Sequence, residues 1–195
     1  MRILGFVGSM KKDGNTNRLL QAVLDAAKNA AEGVEAEVVQ LADLKIEPCH
    51  ACYDVCAKEP YKCAIEDGLQ QVLEKMKRAD AVVLSSALYF EMPARLLALI
   101  ERLSCLDYLG SFRGHNEHPL QGKPCGLVAV SFSDPVKHIL VSLQQFALEM
   151  RMRPIALKSV PFLGVAGNDK MEKDEFLRPL ENAETLGKLL VEAIT

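Results

Sequence analysis

Compact apolar runs alternate with amphipathic stretches along the whole chain. Residues 3–7, 81–84 and 125–130 are unbroken runs of strand length, residues 155–160 are a mainly apolar stretch of the same length, and residues 35–41 alternate charged with apolar side chains. These patterns predict five strands, the second the least buried. Between them apolar residues return at helical spacing. Leu19, Leu20, Val23, Leu24, Ala27 and Ala31 mark the first such stretch, which Gly33 ends. Leu69, Val72, Leu73 and Met76 mark the second. Leu96, Leu99, Ile100 and Leu103 follow Pro93, a residue suited to a first helical turn. Val136, Ile139, Leu140, Leu143, Phe146, Ala147 and Met150 mark the fourth. A fifth helix covers residues 177–194, with a break predicted at Pro179. Residues 107–123 are polar and predict an exposed excursion.

Strands alternating with helices imply βαβ units. The expected fold is α/β, a three-layer, doubly wound, five-stranded parallel sheet covered on both faces. No repeat or linker divides residues 1–195, so one domain is expected. At 49% hydrophobic and 25% charged residues the chain reads as a soluble globular protein. A net charge of −3 gives no basic face for nucleic acid. No apolar run is long enough for a membrane span, and the N-terminus lacks a signal-peptide cleavage pattern. A cytoplasmic location follows as an expectation.

Candidate chemistry begins directly after the first strand, at Gly8-Ser9-Met10-Lys11-Lys12-Asp13-Gly14-Asn15-Thr16. A strand, a Gly/Ser/Thr/Asn turn and a helix N-terminus form an anion pocket, because first-turn N–H groups and the helix dipole point into it. Ser9, Asn15 and Thr16 add hydrogen-bonding side chains, and Lys11 or Lys12 adds charge. Gly14 is followed by Asn15 and Thr16 rather than Lys-Ser/Thr, which excludes a P-loop. Gly5, Gly8 and Gly14 do not form a dinucleotide fingerprint. A terminal monoester phosphate remains. A ligand-free reading has Asn15 or Thr16 simply capping the helix.

Tyr89 and Phe90 follow the third strand at its carboxyl end, where they either face a flat ligand or cap the core. Four of the six cysteines, Cys49, Cys52, Cys56 and Cys63, are separated by gaps of two, three and six residues. Four thiols on one loop suit a soft metal centre, an iron–sulfur cluster or zinc, with free thiols as the alternative. Cys105 and Cys125 stand in apolar contexts and read as buried small hydrophobes. His50, His115, His118 and His138 read as exposed, and the charged run 170–175 as a solvated helix start.

The motif Gly8-Ser9-x-x-x-x-Gly14-Asn15-Thr16 resembles the flavin-phosphate loop of the NADPH-dependent FMN reductase group of flavodoxin-like proteins. Within that group the chain is most similar to iron–sulfur flavoproteins. The string Ala79-Asp80-Ala81-Val82-Val83-Leu84-Ser85-Ser86-Ala87-Leu88-Tyr89-Phe90 and the cysteine cluster match in order and position. Departures are Ala87 in place of a proline, Leu97 near a usual lysine, Glu101-Arg102 for Asp-Arg, a three-residue middle cysteine gap, and the third loop Val130-Ser131-Phe132-Ser133-Asp134-Pro135. The resemblance implies strand order 2-1-3-4-5 and FMN held by Ser9, Lys11, Gly14, Asn15, Thr16, Ser86, Ala87, Leu88, Tyr89, Phe90 and Ser131. It also implies a [4Fe–4S] cluster on the cysteine-rich loop 45–65, through Cys49, Cys52, Cys56 and Cys63. The implied activity is FMN-dependent electron transfer, of the kind of an NAD(P)H-dependent reductase of FMN or quinones. NAD(P)H or another small molecule is the expected donor or acceptor, ferredoxin a partner, and a dimer or tetramer the assembly. The alternatives are a non-catalytic flavodoxin-type carrier and a zinc or thiol module without flavin.

Overall fold

The structure, a computed structural model, describes residues 1–112, 118–132, 136–168 and 177–195. His115, residues 133–135 of the third loop and the run 170–175 lie outside the described residues. The elements are β1 (Arg2–Val7), α1 (Asn15–Ala30), β2 (Glu35–Gln40), a 3-10 turn (Leu41–Asp43), α2 (Tyr53–Cys56) and α3 (Gly68–Arg78). They continue with β3 (Ala81–Ala87), α4 (Ala94–Phe112), β4 (Pro124–Ser131), α5 (Lys137–Glu149), β5 (Arg153–Pro154), β6 (Val165–Asn168) and α6 (Leu177–Ile194).

The strands pair in parallel in the order β2-β1-β3-β4-β5, and β6 also pairs with β4. This is the predicted doubly wound sheet. Period-2 alternation divides its side chains between two cores. Leu4, Phe6, Val82, Leu84 and Leu127 join the residues of α3, α4 and α5. Ile3, Val7, Ala81, Val83 and Val128 join those of α1 and α6. The periodic leucines Leu19, Leu20, Leu69 and Leu73 are fully buried. Each contributes about 1.5–3 kcal/mol of burial free energy. Gly33, at φ 74°, turns the chain from α1 towards β2.

Three expectations are corrected. Residues 155–160 do not form the fifth strand. Its place beside β4 is shared by two short pieces, with Arg153 and Pro154 opposite Pro124 and Cys125, and Val165–Asn168 opposite residues 128–131. Pro154 and Pro161 cannot donate to a ladder. The chain leaves the sheet between them and closes a loop with Leu157 N–H on Phe162 O (2.7 Å). Ile155 and Leu157 still bury their side chains against α1 and α6, which explains the apolar run. Second, α4 runs on to Phe112, six residues into the expected excursion. Leu106 and Asp107 keep its inner face buried. Third, α6 is unbroken at Pro179, which falls in the first described turn, where a missing N–H costs nothing. Among the described residues no helix is long and apolar enough to cross a membrane.

Candidate functional site

β1 delivers the chain to Gly8 at the carboxyl edge of the sheet. A Cβ there would lie 2.5 Å from Ser85 O and 2.7 Å from Leu96 Cδ2. Gly8 N–H donates to Ser85 O (2.9 Å), so the missing side chain lets the loop settle onto β3. Ser9 is 3% exposed, and its Oγ accepts the Lys11 N–H (3.1 Å), leaving the hydroxyl proton for another acceptor. Thr16, in the first turn of α1, is 2% exposed. The residue capping α1 is Gly14, extended at φ −86° and ψ 170°, with no side-chain cap. Asn15 and Thr16 are therefore inside the helix rather than its cap. A helix start without a side-chain cap, beside two buried hydroxyls, matches the donor set a phosphate monoester takes. Lys11 and Lys12 are exposed at the rim, and Lys12 pairs with Asp43.

The ends of β3 and β4 flank this loop. Ser85 Oγ donates to Phe6 O (2.5 Å) and Ser86 Oγ to Ala87 O (2.8 Å), so both hydroxyls are occupied internally. Ala87 and Leu88 are buried, and Leu88 N–H donates to Val130 O (2.7 Å). Tyr89 and Phe90 emerge at 64% and 92% exposure. Such exposure is incompatible with capping the core, and it leaves two aromatic faces for a planar ligand. They line an open depression of about 820 Å³ with Leu88, Lys137, His138, Val141 and Ser142. His138 is exposed as expected. Ser131, at the end of β4, is buried, and Phe132 is exposed.

The cysteine loop lies between the 3-10 turn and α3. Cys52 caps α2, and Cys56 closes it four residues on. The three-residue gap is thus one helical turn, which sets both sulfurs on one face within hydrogen-bonding reach. Cys49 Sγ accepts the Ala51 N–H (3.4 Å) and Cys63 Sγ accepts an Arg102 Nη2 proton (3.1 Å). Burial pushes the Cys56 thiol up, and the neighbouring Cys63, Cys52 and Cys49 push it further. The four thiols share one loop and have the donor chemistry of a soft metal centre. Among the described residues no group is set at ligand spacing for a metal ion. Ala51 and Tyr61 take left-handed φ values of 52° and 58°. Each costs about 1–3 kcal/mol, strain that the loop's side-chain contacts must hold.

Those contacts come from α4 and were not anticipated from sequence. Arg102, 1% exposed, donates to Asp67 Oδ2 (2.5 Å), Glu47 O (3.0 Å), Ile65 O (3.3 Å) and Cys63 Sγ. Glu101 Oε2 accepts the Cys49 N–H (3.2 Å). A charged pair amid leucines at 96, 99 and 103 is the signal that could have found them. Two further expectations are corrected here. Cys125 is buried, but Cys105 is half-buried and lies beside Cys49. His118 is buried rather than solvated, with Nε2 3.0 Å from Asp107 Oδ1 and its ring edge-on to Tyr61 (centroids 5.6 Å).

His118 Nδ1 accepts the Leu120 N–H (3.1 Å), which places the single proton of the neutral ring on Nε2, facing Asp107. Burial lowers the His118 pKa and outweighs the opposing pull of Asp107. The folded state thus prefers neutral histidine. Its contribution is complete above the unfolded value of about 6.5 and is lost as pH falls through that value towards the folded one. The melting temperature should fall from pH ~7 to pH ~5.5, and less steeply in His118→Gln, as a calorimetric pH series would record.

A parallel sheet in this order, with a polar loop after β1 and loops after β3 and β4 at the same carboxyl edge, defines a flavodoxin-like protein. Residues 1–162 match the family model for NADPH-dependent FMN reductase. The chain belongs to that family, one of flavin-dependent oxidoreductases. It is 41% identical over 103 residues to an iron–sulfur flavoprotein of Methanocaldococcus jannaschii, covering 52% of this chain and 51% of that protein. It is 29% identical over 202 residues to an iron–sulfur flavoprotein of Archaeoglobus fulgidus, covering 98% and 94%. The match thus spans about half the length of the first relative and nearly all of the second. Among solved structures, a flavone reductase superposes with a TM-score of 0.70 at 20% identity, covering 100% of this chain and 63% of that one.

Proposed function

We propose that this protein is an FMN-dependent oxidoreductase that passes electrons between FMN, a cysteine-bound [4Fe–4S] cluster and an outside carrier. Residues 1–195 act as one FMN-binding domain carrying the cysteine loop 45–65. The observation that carries the reading is the buried Ser9 and Thr16 pair beneath the glycine-capped start of α1.

When bound, FMN supplies hydride acceptance and single-electron release, and a cluster supplies single-electron storage. The chain's own part is to bind and orient. Ser9, Gly14, Asn15 and Thr16 hold the phosphate through hydroxyl, amide and backbone donors, and Lys11 adds charge at the rim. Ser86, Ala87, Leu88 and Ser131 form a dry floor under the ring, and Tyr89 and Phe90 wall it from water. Cys49, Cys52, Cys56 and Cys63 hold the cluster, giving up their protons to do so. Arg102 stabilises the Cys63 sulfur with a charged N–H donor. Leu96 touches Gly8, while Arg102 and Cys105 touch the cysteine loop. α4 therefore touches both loops, at points about 9–14 Å apart along its axis. NAD(P)H is the proposed donor and a small quinone-like molecule or a ferredoxin the acceptor, in a homo-oligomer. The similarity to iron–sulfur flavoproteins supports the cluster over zinc.

Anaerobic purification, an absorption spectrum, iron and sulfide assays and NAD(P)H oxidation test the reading together. Stoichiometric FMN with iron and sulfide is the expected result. Flavin without iron would remove the cluster. Flavin with iron but no turnover would favour a carrier. A colourless zinc protein would overturn the proposal.

A further inference from the structure

The cysteine loop meets a fifth thiol from outside it. Cys105 sits on α4 one turn beyond Glu101, and Glu101 holds the Cys49 N–H at 3.2 Å. Residues four apart share one helix stripe, so the stripe that anchors the Cys49 backbone also carries Cys105 to the Cys49 sulfur. The two thiols lie within hydrogen-bonding reach of each other. Both are half-buried, whereas Cys56 is buried. Cys105 also lines a surface hollow of about 440 Å³ with Tyr53, Tyr108 and Glu149, which gives small molecules access to its thiol.

We infer that Cys49 and Cys105 form an oxidisable dithiol, a redox site that shares Cys49 with the four-cysteine ligand set. The oxidant class is a hydroperoxide. One sulfur attacks a peroxide oxygen, the O–O bond breaks, and a sulfenic acid and one water result. The second sulfur displaces the sulfenic hydroxyl, which leaves as water, and the S–S bond forms. Two thiols lose two electrons and two protons, and hydrogen peroxide becomes two waters. The disulfide takes Cys49 out of the ligand set, so oxidation and metal loading exclude each other.

The test uses the full chain, freed of metal with a chelator and reductant, then given one equivalent of hydrogen peroxide. Free thiols are alkylated and a non-reducing peptide mass map is taken. The expected result is a linked species joining the Cys49 and Cys105 peptides, with two of the six thiols lost. Bonds confined to residues 49–63, or a fully alkylated Cys105, overturn the inference. In a second arm, peroxide-treated wild type should lose its uptake of iron and sulfide and regain it with dithiothreitol, while Cys105→Ser keeps it throughout. Equal loss in Cys105→Ser also overturns the inference. If the reduced wild type takes up no iron and sulfide at all, the cluster reading fails, and the linkage map alone decides the dithiol.

Discussion

Arg102→Leu should destabilise the folded protein by about 3–5 kcal/mol, the range for breaking one side of a buried ion pair. Arg102 and Asp67 are both 1% exposed at the side chain and meet at 2.5 Å. Asp67 Oδ1 accepts the Leu69 N–H (3.0 Å) as the cap of α3, and Oδ2 accepts the Glu47 N–H (2.8 Å). Burial alone would raise the Asp67 pKa, but Arg102 and these two backbone donors outweigh it and hold the carboxyl below its ordinary value. The leucine variant keeps the carboxylate buried and removes its countercharge. It also strips donors from Glu47 O, Ile65 O and Cys63, so the cysteine loop loosens with it. Denaturant titration under reducing conditions should record the loss, and scanning calorimetry a melting temperature lower by about 10 °C. The double variant Arg102→Leu/Asp67→Leu should recover much of it, since neither charge is then stranded. The sign with pH follows from the depressed carboxyl. Its stabilisation is present above the unfolded pKa of about 3.9 and lost as pH falls through the folded value. The gap between wild type and Arg102→Leu should therefore narrow in strong acid.

The clamp built around Arg102 marks where sequence reasoning stops. β1, β3 and β4 were legible because a strand buried on both faces is written as one continuous apolar run. α1, α3 and α5 were legible because one face repeats leucine and valine at helical spacing. The course of the loop after β1 was legible for the same local reason, since residues 8–16 form it with little help from distant parts of the chain beyond Ser85, Leu96 and the Lys12–Asp43 pair. The cysteine loop was half legible. Spacing announced four thiols, and the single turn of α2 explains how the longer middle gap is accommodated. What holds that loop was hidden, because its partners lie far along the chain. Glu101 is 52 residues from Cys49, and Arg102 is 39 from Cys63. Cys105 and His118 were misread through the same gap. A thiol among leucines looks like a core residue until the helix is turned to face Cys49. A histidine in a polar stretch looks solvated until Asp107 and Tyr61 close over it. The fifth strand failed for a covalent reason, since Pro154 and Pro161 bound a stretch in which Ile155 and Leu157 are buried without extending the ladder.

Ser9→Asp should weaken FMN binding by about 1000-fold, read as the loss of flavin fluorescence quenching in a titration. The physical basis is one added negative charge against the proposed phosphate. At ~4 Å and an effective dielectric of ~20, one such pair costs about 4 kcal/mol, which is close to three decades in affinity. Ser9 is 3% exposed, so solvent does little to screen the charge. Ser9→Ala removes a hydroxyl without adding charge, and its cost should be about 1 kcal/mol, near fivefold. The loop itself should survive, because the Lys11 N–H that now bonds Ser9 Oγ finds an oxygen of the new carboxylate at nearly the same place. Riboflavin supplies the control that separates charge from misfolding. It carries the same ring and chain but no phosphate, so wild type and Ser9→Asp should bind it alike. An Asp variant that loses riboflavin as fully as FMN would mean that the loop has collapsed. One that binds both as wild type does would mean that no phosphate approaches Ser9, and the cradle after β1 would then serve some other ligand.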